Sequence, residues 1–170
     1  MAYIRELNGI TPQVGEDTFL AETAVLVGDV VVGRDCSIWY NAVLRGDVNP
    51  IRIGDRVNIQ DGAVLHTLYK RSIVEIGNDV SVGHNVNIHG AKVEDFCLIG
   101  MGATLLDNVV VGEGAIVGAN SLVLAGTQIE PYTVWAGVPA KKVKDLPPEQ
   151  REMGKKNAAG YLLYKTWYKE

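Results

Sequence analysis

Three histidines, His66, His84 and His89, fall within a span of about 24 residues, and the chain has no others. Neutral imidazole is a ligand for zinc and for other first-row metals, iron and cobalt among them. Three imidazoles around an ion with an open fourth position form the layout of a catalytic zinc site. Other residues nearby have types that would serve such a centre. Arg45, Asp47 and Asp61 can orient ligands through charge-assisted hydrogen bonds. Gln60 is neutral and carries both a donor and an acceptor, which suits it to holding water or hydroxide. Tyr161 and Tyr164 offer hydroxyls that can also position water.

Whether these groups meet depends on the periodicity of the chain. An aliphatic residue recurs every six positions. Leu20, Leu26, Val32, Ile38 and Leu44 open the series; Ile53, Ile59 and Leu65 continue it, then Ile76, Val82 and Ile88. Val93, Ile99, Leu105, Val111, Val117, Val123, Ile129 and Trp135 close it. Of these 19 positions, 18 are Leu, Ile or Val. Two residues before each sits a small or β-branched side chain such as Ala24, Cys36, Ala63, Cys97 or Ala103. One residue after it is often glycine, as at Gly33, Gly54, Gly77 and Gly100. A period of six fits neither an amphipathic helix nor one long strand. It fits short strands joined by tight corners, with glycine where a Cβ would crowd the corner. Three such sides close a triangular coil of about 18 residues, and stacked coils bury one aliphatic column.

This pattern resembles the hexapeptide-repeat family over roughly residues 10 to 140. The resemblance implies an all-β fold, the left-handed parallel β-helix. The hand comes from the resemblance, since the usual crossover rule would give the opposite one. The β-helix domain is expected over residues 1–145, with 146–170 forming a C-terminal helix that packs on one side of the prism. Helical composition runs over residues 149–169, although Gly154 and Gly160 weaken it in isolation. Cys36 and Cys97 occupy the small inward slot and read as core.

The phase breaks three times. Leu44 to Ile53 holds an insertion of three residues, Leu65 to Ile76 one of five, and Ile88 to Val93 a deletion of one. The two insertions are expected to protrude as loops. Counting through them places the histidines. His66 and His89 each follow a repeat aliphatic by one residue and are 23 apart, one coil plus the five-residue insertion. They belong on one side, one coil apart, at the interstrand spacing of about 4.8 Å. His84 lies on the preceding side, and a side spans roughly 15 Å, so it does not reach them within one chain. A neighbouring chain around a threefold axis would supply it. Arg45 falls in the column of His66 and His89, and Asp61 stacks under His84. Across the interface, Arg45 of one chain would then meet Asp61 of the next.

The run Asn58-Ile59-Gln60-Asp61-Gly62, then His66, then His84 and His89 five apart, resembles the gamma-class carbonic anhydrases, as does Arg45-Gly46-Asp47 upstream. That resemblance implies a homotrimer with a metal, zinc above all, held at each subunit interface by two histidines of one chain and one of the next. It implies reversible CO2 hydration, a lyase reaction on a small-molecule substrate. It assigns Gln60 to the metal-bound water and makes Asp47 a structural acid more than a proton shuttle. The chain departs from the best-known members in two places. Val48-Asn49 follows Asp47 where they carry Glu, and the loop from Thr67 to Ser72 has Lys70 and Arg71 but no acid. Tyr161 or Tyr164 would approach the metal and position water in its place.

Other functions share the fold. A hexapeptide-repeat acyltransferase would use one histidine as general base. A CoA-thioester hydrolase would use the same metal water. A non-catalytic trimeric module would use the metal only to join subunits. The stretch Ala136-Gly137-Val138-Pro139-Ala140-Lys141 is common to these groups and does not separate them. The formal net charge of −4 argues against nucleic acid and against an anionic membrane surface. Two cysteines are too few for a disulfide framework, so the expected setting is cytoplasmic.

Overall fold

The computed structural model describes residues 1–168. Lys169, where the expected helical segment ends, and Glu170 lie outside the described residues. The fold is a left-handed parallel β-helix with one C-terminal helix. Most strands are two or three residues long and alternate with turns, and within the stack each pairs in parallel with its counterparts in the neighbouring coils. One face stacks Phe19–Leu20, Ser37–Ile38, Asn58–Ile59, Ser81–Val82, Leu98–Ile99, Ile116–Val117 and Thr133–Gly137. The next face includes Val64–His66, Asn87–His89, Thr104–Leu105 and Leu122–Val123. The third includes Val74–Ile76, Lys92–Val93, Val110–Val111 and Gln128–Ile129. Ala140–Asp145 turns back antiparallel on Thr133–Gly137.

The six-residue period produces this directly. In a strand, neighbouring side chains point to opposite faces. Seventeen of the nineteen repeat positions are buried, while Leu20 and Trp135 are partly so. The small residues two places earlier, Ala24, Cys36, Ala63, Cys97 and Ala103 among them, are buried as well. Parallel backbone bonds join the coils, for example Val64 N–H to Val86 O at 2.8 Å and Asn87 N–H to Ala103 O at 2.9 Å.

The glycines after the aliphatics serve a different purpose from the corner dihedral. Gly54 does not have a positive φ, but a Cβ there would lie 2.8 Å from the backbone of Gly77 in the next coil. The left-handed corners fall elsewhere, on residues such as Asn85 (φ 57°), Asn108 (φ 60°) and Gly90 (φ 67°). Asparagine and glycine tolerate that conformation better than other residues.

The two insertions behave differently. Residues 67–73 leave the prism as a loop, as expected. The three-residue insertion makes no separate loop. It is taken up inside one eleven-residue strand, Val43–Ile53, whose register against Val25–Val32 shifts after Gly28. Its backbone stays extended because it continues to pair on both sides of the shift.

The C-terminal helix, Gln150–Tyr164, continues into a 3-10 turn, Lys165–Tyr168. Gly154, unfavourable for helix propensity, is what lets the helix approach the prism, since a Cβ there would be 2.4 Å from the carbonyl oxygen of Phe96. Ala158 is buried, and Tyr161 packs edge-on against Trp39 with ring centroids 5.7 Å apart. Lys165, buried, donates to the Asp17 carbonyl at 2.7 Å and to Asp35 at 3.2 Å, pinning the end of the chain. Among the described residues no helix is long and apolar enough to cross a membrane.

Burial pushes the Cys36 thiol up to about 11 and the Cys97 thiol up to about 12. A thiol attacks as the thiolate. At pH 8 the native protein should therefore leave Ellman's reagent unreacted over minutes, and both thiols should titrate once the protein is unfolded in guanidinium. Rapid labelling of either in the folded protein would show that the column is open.

Candidate metal centre

His66 and His89 end adjacent strands of one face and are direct register partners. Each follows an inward aliphatic, Leu65 or Ile88, so its own side chain turns out of the column. The two rings stand 5.4 Å apart between centroids, tilted by 58°. Both are partly buried.

Each of the three imidazoles has a carboxylate. His89 Nδ1 is 3.1 Å from both oxygens of Asp107. His84 Nδ1 is 2.9 Å from Asp61 Oδ2. His66 Nε2 is 2.9 Å from Asp47 Oδ1, and Arg45 pairs with the other oxygen of Asp47. Partial burial works against ionising Asp47, but hydrogen bonds from Arg45 and His66 outweigh it and hold the carboxyl below its ordinary range. Asp107 follows the same pattern: burial opposes the charge, and hydrogen bonds from Ser72 and His89 prevail. Ionised carboxylates only accept hydrogen bonds. Asp107 therefore takes the hydrogen on Nδ1 of His89 and turns Nε2 away from itself, while Asp61 stands at ion-pair distance from Nδ1 of His84. In His66 the carboxylate faces Nε2 instead.

The structure brings His66, His89, Arg45 and Asp47 together, and separately His84 with Asp61. Among the described residues of one chain, no group of three or more His, Cys, Asp or Glu side chains is placed to hold a metal ion. Within the chain Arg45 and Asp61 already have partners, Asp47 and His84. Gln60 is buried and donates its amide to Asn58 Oδ1 at 3.0 Å; Asn58 in turn donates to Ser81 Oγ at 2.9 Å. Gln60 shares a groove of about 640 Å³ with Ser81, Met153, Tyr161 and Tyr164. Tyr161 therefore sits against Trp39 and Tyr164 on the face that leads to His84, away from the His66–His89 column. Burial, followed by the charge of Asp61 and by Tyr164, pushes its hydroxyl up from the usual phenol range.

Reading the sequence alone missed Asp107 and Ser72. The signal was present: Asp107 follows Gly90 by 17 residues, one coil less the deletion of one, and so stands over the residue next to His89. Counting coils forward from His89, as well as back, would have found it.

Known proteins are similar to this chain over most of its length. A Geobacillus kaustophilus protein named carbonic anhydrase is 47% identical over 146 residues, covering 85% of this chain and 80% of that one. The chain belongs to the gamma-class carbonic anhydrase family of hexapeptide-repeat proteins. A mitochondrial gamma carbonic anhydrase 2 of Arabidopsis thaliana is 45% identical over 158 residues, 89% of this chain. This chain spans only 56% of that relative's length. The bacterial transferase hexapeptide model, with six repeats, matches residues 11–46 and 90–125. Among solved structures, a Bacillus cereus protein described provisionally as an acetyltransferase aligns with a TM-score of 0.92 at 40% identity, over 98% of this chain and 96% of that one.

The gamma carbonic anhydrase family implies a metal, and the donor chemistry here fits one. Two adjacent imidazoles and a third exposed one, each backed by a carboxylate, match the outer partners that orient histidine ligands and raise their basicity.

Gly90 makes the Asp107 arrangement possible. A Cβ on it would fall 2.0 Å from Ser72 Oγ and 2.6 Å from Asp107 Oδ1. Gly126 has a similar left-handed φ of 75° with nothing within 4 Å of its would-be Cβ. Gly126→Ala should then cost about 1–2 kcal/mol from backbone strain alone, and Gly90→Ala clearly more. Denaturant unfolding of the two variants checks this; equal losses would mean that the contacts around Gly90 yield freely.

Proposed function

We propose that this chain assembles as a homotrimer and catalyses reversible CO2 hydration at three metal sites, one at each subunit interface. His66 and His89 of one protomer and His84 of its neighbour hold the metal, zinc in this reading. The observation that carries the proposal is the His66–His89 register pair, 5.4 Å between ring centroids, with carboxylates behind the rings. The named relatives support the reaction class.

A zinc ion with three imidazole ligands supplies a water whose pKa falls to about 7. The chain's own residues do the rest. Asp107 takes the Nδ1 hydrogen of His89 and Asp61 lies against Nδ1 of His84, so that each ring presents Nε2 on its other side. Asp47 is anchored by Arg45, which keeps a negative charge beside His66. Gln60, held on one side by Asn58, has its carbonyl oxygen available to orient water. Tyr161 lines the same groove. No acid in the loop from Thr67 to Ser72 takes the product proton, so it passes to solvent buffer. The buried free thiols suit a reducing compartment such as the cytoplasm.

The likeness to the Bacillus cereus protein favours one alternative, transfer of an acyl group from a CoA thioester. A single histidine base suffices for that reaction, and bound metal is not required.

Subunit mixing tests the shared site. Purified wild-type protein should bind one zinc per chain, and His84→Ala and His89→Ala proteins should each bind none. Unfolding and refolding the two variants together in equal amounts should restore about a quarter of the sites, those that pair an intact His84 with an intact His66–His89 column. No recovery, in a mixture shown to contain mixed trimers, would sink the shared site. Stopped-flow CO2 hydration on the zinc-loaded wild type should show a turnover that rises with buffer concentration. Full metal occupancy without turnover above background would refute the hydratase reading. Binding of acetyl-CoA by the same protein would then favour the acyltransferase.

A further inference from the structure

The carboxylate behind His89 is tied to a loop far from it in sequence. Asp107 accepts from His89 Nδ1–H at 3.1 Å and from the Ser72 hydroxyl at 2.5 Å. The Ser72 oxygen accepts from the Leu68 N–H at 2.9 Å. Asn49, from the three-residue insertion, donates to the carbonyls of both Leu68 and Ser72 at 2.7 Å and accepts from the Lys70 N–H at 3.3 Å. The loop is thus fastened to the prism at both of its ends. The Ser72 hydroxyl has its hydrogen on Asp107 and its lone pair on Leu68, so it cannot rotate without losing one of them.

We infer that Asp107 is a positioning residue for His89, and that Ser72 makes the order of the 67–72 loop and the donor geometry of His89 one cooperative unit. This inference rests on the metal site proposed above and deepens it. Neutral imidazole has two tautomers, and which nitrogen is free depends on what the other one binds. Asp107 selects the Nδ1–H form and holds the ring plane through both oxygens. Asp61 meets His84 Nδ1 through one oxygen only and from a more open position: its side chain is 43% exposed, against 22% for Asp107. His89 is therefore the ligand whose geometry is set by the loop.

The test uses the full chain in its native assembly. Nitrogen-15 NMR of the metal-free wild type should show His89 protonated at Nδ1. In Asp107→Ala, and more weakly in Ser72→Ala, the Nε2–H form should become populated. Zinc affinity, by competition with a chromophoric chelator, should fall about 10–100-fold in Asp107→Ala. The fall should be smaller in Asp107→Asn, which keeps an acceptor oxygen but not the charge. Ser72→Ala should also speed hydrogen exchange at the Leu68 amide. Wild-type tautomer and wild-type zinc affinity in Asp107→Asn and Asp107→Ala would overturn the inference, whatever their melting temperatures. Should Asp107→Ala not fold, Asp107→Asn carries the same comparison. His89→Ala separates the two layers: if it retains stoichiometric zinc, or if the wild type takes up none, the proposed metal site itself is wrong and the inference falls with it.

Discussion

Everything in the site depends on register between coils. Parallel backbone hydrogen bonds and the inward repeat aliphatics hold each short strand at one position relative to the next. A slip of one residue would turn every inward side chain outward. The buried column therefore forbids it, and that prohibition is what keeps His66 over His89 and Asp61 under His84. The insertions and the deletion do not loosen this order. They change the offset between partners from 18 to 21, 23 or 17 while the pairing itself persists.

On that scaffold, carboxylates decide the chemistry of the imidazoles. A histidine on a β-helix surface could present either nitrogen. Here each ring has an acid within hydrogen-bond distance, and in His84 and His89 the acid faces Nδ1. The prism is shared by proteins of different function, as the likeness to a protein described as an acetyltransferase shows. Function on this fold lies in what is grafted on its corners. The corners of this chain carry histidine–carboxylate pairs.

The C-terminal helix illustrates how tertiary contact overrides local preference. Gly154 weakens an isolated helix, but it removes the Cβ that would strike Phe96 and so allows close packing. The aromatic cluster around Trp39 and the buried Lys165 then fasten the segment over the face that bears Gln60. The ring of Tyr161 joins that cluster, where the large apolar surface of an aromatic side chain is best buried, and it lines the groove that holds Gln60.

Much of the molecule was legible in the residues. The period of six determined the core column, because only inward positions need to be aliphatic at that spacing. Counting through the insertions placed His66 beside His89 and Asp61 beneath His84, since register is additive along a repeat. What only the tertiary structure decided were contacts that depend on side-chain direction and on loops outside the repeat. These include the pairing of Arg45 with Asp47, the clamp of Ser72 and Asn49 on the 67–72 loop, and the carboxylate of Asp107 on His89. Periodicity constrains backbone position, and it says nothing about where an irregular loop returns or which of two acids a side chain reaches.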